Sequence, residues 1–184
     1  MELFKALHGR RTIQHFRAGA QVSNEALDKA LEAAHMAPCH KLTWPWRFTT
    51  LGPQARARLA QIAVAVKGAK KGLSEDERRV AEAQMLAPGA VVGVSVVRCE
   101  QPFQAREDYA AAACAVQNMM LALHAQGLGS KWTTSGFTTH ADTYALLGID
   151  PAQEEIIGLV LVGAYDHAPH IPRPPVAQVV RAVP

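Results

Sequence analysis

Four short groups of residues in this chain could do chemistry: Arg10-Arg11-Thr12, His40-Lys41, Trp132-Thr133-Thr134 and Arg173. A guanidinium matches a phosphate because its fixed N–H fork meets two oxygens at once, whereas hydroxyls, imidazole and indoles suit the edge and face of a flat heteroaromatic ring. A phosphorylated planar ligand would use both kinds. Each group also has an ordinary use. Arg10 and Arg11 can complement a helix C-terminus, His40 and Lys41 can be turn residues, and Trp44 and Trp46 can be packing anchors. Thr133 and Thr134 suit any strand, and Arg173 on a tail can be solvated.

Other chemistries fail on spacing. Gly127-Leu128-Gly129-Ser130-Lys131-Trp132 begins like a dinucleotide fingerprint but lacks the third glycine and leads from helix into strand, the reverse of what that site needs. Gly93-Val94-Ser95-Val96-Val97 has a valine where a nucleophile elbow needs its second glycine, which makes Ser95 a buried strand residue. Gly68-Ala69-Lys70-Lys71-Gly72 lacks Walker spacing. The 8 histidines include no HExxH pair, so a catalytic metal finds no ligand set.

The elements that must carry these groups follow from periodicity. Leu3, Phe4 and Leu7 make one helical stripe before Gly9, leaving the paired arginines in the turn that follows. A second helix, capped by Ser23 or Asn24, runs to about Met36, because Pro38 cannot continue it. The aromatic loop of His40 and Lys41 then leads into a strand over Arg47 to Leu51. Pro53 opens a third helix expected to dissolve into a mobile, solvated segment from Lys67 to Gly72, and Ser74 with Glu77 forms a capping box for a fourth. Val91 to Val97 is a strand that wants burial on both faces.

Tyr109 to Gln126 reads as a helix apolar almost all round, whose far side would face water unless a second subunit covered it, so a homodimer is expected. Lys131 to Ser135 and Ile156 to Val162 read as strands and Ala141 to Leu147 as a short helix. The tail with Pro169, Pro172, Pro174 and Pro175 reads as an extended arm. This order gives α+β or mixed α/β.

The 184 residues suit a single domain, 1–184, and 49% hydrophobic with 19% charged residues supply a full core. A net charge of +3 is too small to imply nucleic acid, although it favours an anionic small ligand. The longest apolar stretch, Leu86 to Val97, is broken by Pro88, Gly89 and Gly93 and is too short to span a membrane. Cys39, Cys99 and Cys114 form no CxxC pair, and no secretory leader is evident, which together lead us to expect reduced thiols and a cytoplasmic protein.

Taken together and in this order, Arg10-Arg11-Thr12, the block Ala37-Pro38-Cys39-His40-Lys41-Leu42-Thr43-Trp44-Pro45-Trp46-Arg47-Phe48, and the Gln126-Gly127-Leu128-Gly129 turn into Trp132 resemble the nitroreductase family of FMN-dependent oxidoreductases. The likeness is greatest to its compact members and covers nearly the whole chain. It implies an α+β fold with a central, mostly antiparallel sheet flanked by helices, an intertwined homodimer whose tail, 167–184, embraces the partner, and FMN at the subunit interface. By position, Arg10, Arg11 and Thr12 would meet the phosphate, ribityl chain and ring edge, and Arg173 would complete the phosphate site. Pro38 and His40 would come from the other subunit, Trp132, Thr133 and Thr134 would line the ring, and Lys41 would join the arginines in supplying positive charge.

The chain departs from the family at Thr12, where serine is usual, at Met36, where close members often carry a basic residue, and at Thr133, where they often carry arginine. The implied activity is hydride transfer from NAD(P)H through FMN to a nitroaromatic, quinone or related small-molecule acceptor by a ping-pong cycle. Alternatives are a non-redox dimer binding an anionic aromatic ligand and a flavin-dependent oxidase or dehydrogenase on the same fold.

Overall fold

The computed structural model describes residues 1–183. Among the described residues four strands form one antiparallel sheet in the order β1-β2-β4-β3: β1 Trp46–Thr50, β2 Ala90–Val97, β3 Gly129–Thr133 and β4 Glu154–Gly163. The two apolar runs, β2 and β4, take the centre, where both faces are covered, and β1 and β3 form the flanks. Alternation along β2 divides the core. Val92, Val94 and Val96 join Ala112, Ala115, Val116 and Met119 of helix α5 (Pro102–Ala125) and Ala30 and Ala34 of α2 (Asn24–His35). Val91, with Leu159 and Leu161 of β4, packs on the other face against Leu59, Ala60 and Ala63 of α3 (Pro53–Lys71) and against Phe137. The remaining helices are α1 (Leu3–Gly9), α4 (Glu75–Leu86) and α6 (Ala141–Leu147). The architecture is α+β.

Ser74 and Glu77 make the capping box at α4, α6 has the expected bounds, and Ser95 is buried in β2. Two expectations fail. The Lys67 to Gly72 segment is not a loop: α3 continues to Lys71 and stops only at Gly72, whose φ is +63°. Lys67 Nζ reaches Gln84 Oε1 and Lys71 Nζ reaches Glu77 Oε1 on the neighbouring α4, contacts that outweigh the cost of an interior glycine at 68. Helix α5 also starts at Pro102, seven residues before Tyr109, because Pro at N1 is pre-set for helix and Gln104 and Asp108 are buried by contacts from elsewhere in the fold.

The chain alone leaves much apolar surface uncovered. Its accessible area is 11078 Å², against roughly 8,600 Å² for a compact monomer of this mass. Exposed large apolar residues include Leu3, Phe4 and Leu7 on α1, Met36, Leu42 and Trp44 around the aromatic loop, Phe103 and Tyr109 on α5, and Ile171, Val176, Val179, Val180 and Val183 along the tail. Monomeric proteins seldom expose large apolar patches, so these residues are candidates for contact with a second chain. The tail is extended apart from a single turn at Val176–Gln178, and every residue from His170 to Val183 is exposed.

Candidate functional site

The arginine groups are brought together where α1 meets the end of α5. The backbone of Gly9 lies against the imidazole of His124, near the C-terminus of α5, and Arg10 leaves the helix in an extended conformation (φ −59°, ψ 129°). The chain then runs along the outer edge of β3, with Thr12 bridging Ser130 and Ile13 N–H donating to the Ser130 carbonyl at 3.0 Å. Only glycine permits that approach, since a Cβ on Gly129 would stand 2.6 Å from both Ile13 Cγ1 and Tyr165 Cδ1.

Arg11 curls back to donate through Nη1 to the carbonyls of His8 (2.6 Å) and Arg10 (2.9 Å). Arg173 comes in from the tail, and a hollow of about 390 Å³ is lined by Leu7, His8, Arg11, His170, Ile171, Pro172 and Arg173. Burial, then Arg173 and Arg11, push the Arg10 guanidinium below the ordinary arginine value, and burial followed by Arg10 and Arg11 pushes His124 down as well. Among the described residues no carboxylate pairs with any of the three arginines, and Arg10 Nη1 is buried without a hydrogen-bond partner. Buried donors are almost always satisfied, so this geometry fits a ligand that is both anionic and rich in acceptors, as a phosphate is.

Trp132, Thr133 and Thr134 lie on and just beyond β3. The Trp132 indole packs over the bare backbone of Gly158 (φ +147°), where a Cβ would come within 2.3 Å of Nε1. Its Nε1 is buried and unpartnered, as is Ser130 Oγ beside it. Thr133 is buried and its Oγ1 meets Ser135 Oγ at 3.0 Å, while Thr134 is exposed. Lys131, half-buried and pushed down by burial and by Lys67, donates to Gln14 Oε1 at 2.7 Å.

Met36, Pro38, His40 and Lys41 lie elsewhere. Met36 caps the end of α2 and is exposed, as are Pro38 and Lys41. His40 opens a single 3-10 turn that sits on the beginning of α5, its Nδ1 2.8 Å from Glu107 Oε2. Glu107 and His124 are seventeen residues apart on α5, which is about 25 Å of helix. Within one chain the arginine group and the His40 group therefore stand at opposite ends of α5 and cannot grip one small molecule.

Sequence reasoning missed Ser130, Gln14, Lys131, His124 and Glu107. Ser130 and Lys131 fall inside the glycine turn, and His124 was legible as the one basic residue near the end of an apolar helix. Nothing in the order of residues ties Glu107 to His40.

This arrangement has counterparts among known proteins. The model of the nitroreductase family matches residues 7–164, and the chain belongs to that family. It is 29% identical over 167 residues to YdjA of Escherichia coli (strain K12), provisionally named an NAD(P)H nitroreductase, covering 89% of this chain and 88% of that one. The crystal structure of a nitroreductase-like family protein from Bacillus cereus superposes with a TM-score of 0.84 at 24% identity, covering 100% of this chain and 96% of the other. A protein from Desulfovibrio desulfuricans, provisionally described as a nitroreductase and crystallised in complex with FMN, superposes with a TM-score of 0.77 at 25% identity, covering 100% and 98%.

Proposed function

We propose that this protein is an FMN-dependent oxidoreductase that takes hydride from NAD(P)H and passes it to nitroaromatic, quinone or related acceptors in a ping-pong cycle. Two copies of the chain would hold each flavin between them. The observation that carries this reading is the convergence of Arg10, Arg11 and Arg173 with no counter-anion, Arg10 Nη1 being buried and unpaired. The FMN complex of the D. desulfuricans protein and the NAD(P)H in the name given to YdjA support it.

Bound FMN would supply the redox chemistry, accepting and returning hydride, so the reaction needs no nucleophilic or acidic side chain from the chain itself. The residues bind and orient. Arg10, Arg11 and Arg173 would hold the phosphate, Thr12 and Ser130 would offer hydroxyls to the ribityl chain, and Trp132 to Thr134 would line the ring on β3. Arg10, Arg11 and Lys41 would also place positive charge where negative charge grows on reduction. Pro38, His40 and Lys41, with Met36 near them, would reach the ring of the partner's site, because in their own chain the His40 loop and the arginines sit at opposite ends of α5, against Glu107 and beside His124. The uncovered apolar surface of α1, α5 and the tail supports the homodimer this requires, with the 167–184 arm laid over the second copy.

The purified protein is expected to be yellow and to release FMN on denaturation, and anaerobic NADH or NADPH is expected to bleach it. A colourless protein that ignores added FMN would instead favour a non-redox binding dimer, and a flavin that nicotinamide cannot bleach would favour an oxidase.

A further inference from the structure

The loop between Cys39 and Trp44 is unusual in its backbone. Lys41 (φ 60°), Leu42 (φ 54°) and Trp44 (φ 39°) all occupy the left-handed region, although none is glycine. L-residues reach that region only at a steric cost, and three of them within four positions persist only where the surroundings over-determine them.

The first two turns of α5 provide the surroundings. Asp108, almost fully buried, accepts hydrogen bonds from Thr43 Oγ1 at 2.7 Å and Gln104 Nε2 at 2.9 Å. Cys39 Sγ accepts from Trp44 N–H at 3.2 Å. These contacts hold the loop without help from Glu107, which is nevertheless spent on the neighbouring residue: its two carboxylate oxygens stand 2.9 and 2.8 Å from His40 Nδ1. The His40 side chain is 61% exposed, so this pair adds little to stability. It does fix orientation. A carboxylate on Nδ1 holds the proton there, locks the ring, and leaves Nε2 at the free edge of the imidazole.

We propose that Glu107 is a positioning residue for His40, presenting Nε2 outward to the flavin ring held by the partner copy, while the Asp108–Thr43 bond holds the strained loop that carries it. The inference rests on the reading of His40 as a ring contact in trans. Glu107 would act only through His40, so its effect must vanish when the imidazole is gone.

The test is a double-mutant cycle on FMN affinity, measured by titrating the apo-dimer with FMN, and on the absorption band of the bound flavin. His40→Ala and Glu107→Ala are each expected to weaken FMN binding by about tenfold, the upper end of what one neutral hydrogen bond contributes. The double variant is expected to bind as His40→Ala does, and Glu107→Gln, which keeps an acceptor for Nδ1–H, to restore most of the affinity. A Glu107→Ala variant with unchanged affinity, or effects that add in the double variant, would overturn the positioning role and leave the ring contact standing. If His40→Ala itself changes neither affinity nor spectrum, the ring contact fails and the positioning role fails with it.

Discussion

The two ends of α5 are built on opposite plans. At its C-terminal end the arginine group rests on the sheet: Thr12 and Ile13 are bridged to Ser130, Trp132 is packed over Gly158, and cations gather without a counter-charge. At its N-terminal end the His40 loop leaves the sheet and hangs from the helix by side-chain bonds to Glu107 and Asp108, with His40 paired to a carboxylate and the loop backbone strained. One end gathers arginines that no carboxylate pairs among the described residues, and the other displays Leu42 and Trp44 to solvent. An unpaired set of cations at one end and exposed apolar side chains at the other suit the shared pocket proposed above.

The largest expected effect follows from the unpaired arginines. Arg10→Ala should weaken FMN binding by about 1.5–3 kcal/mol, the worth of a charge-assisted phosphate contact, with the FMN-induced rise in Tm shrinking to match. Because the variant also removes repulsion from Arg173 and Arg11, the apo-protein should melt no lower than the parent. Next comes the hanging loop. Thr43→Val withdraws a donor from the buried Asp108 carboxylate and should cost about 1–3 kcal/mol in chemical denaturation, leaving the arginine end untouched. If Thr43→Val costs nothing, the contrast between the two ends is wrong.

The smallest effect is one of pH. His124 has its folded pKa held below the unfolded value, so below that unfolded value the unfolded chain binds more protons, and stability falls as pH drops towards the folded pKa. His124→Gln should flatten this part of the acid limb in the apo-protein. Bound phosphate should flatten it too, by offsetting Arg10 and Arg11.

The sequence revealed the frame better than the joints. The valine run of β2, the Ser74–Glu77 capping box and the greasy stretch of α5 were legible because each is a local pattern with one physical solution. The extension of α5 to Pro102 and of α3 through Lys71 was hidden, since contacts with distant residues rather than propensity decide both. Arg10, Arg11 and Thr12 were readable as a group because they are adjacent. Their meeting with Arg173 could be anticipated only from family likeness, and the Glu107–His40 pair depends on how a loop folds back on a helix 67 residues away.

The central claim is that each flavin is held by the arginines of one chain and the His40 loop of the other, and mixed dimers test it most directly. Arg10→Ala chains and His40→Ala chains, carrying different tags, would be co-purified as heterodimers and titrated with FMN. Each heterodimer should contain one intact site and bind one FMN with parental affinity, because the unmutated arginines and the unmutated loop meet across the interface. Heterodimers in which both sites are weakened would place the two groups on the same flavin from a single chain and contradict the account.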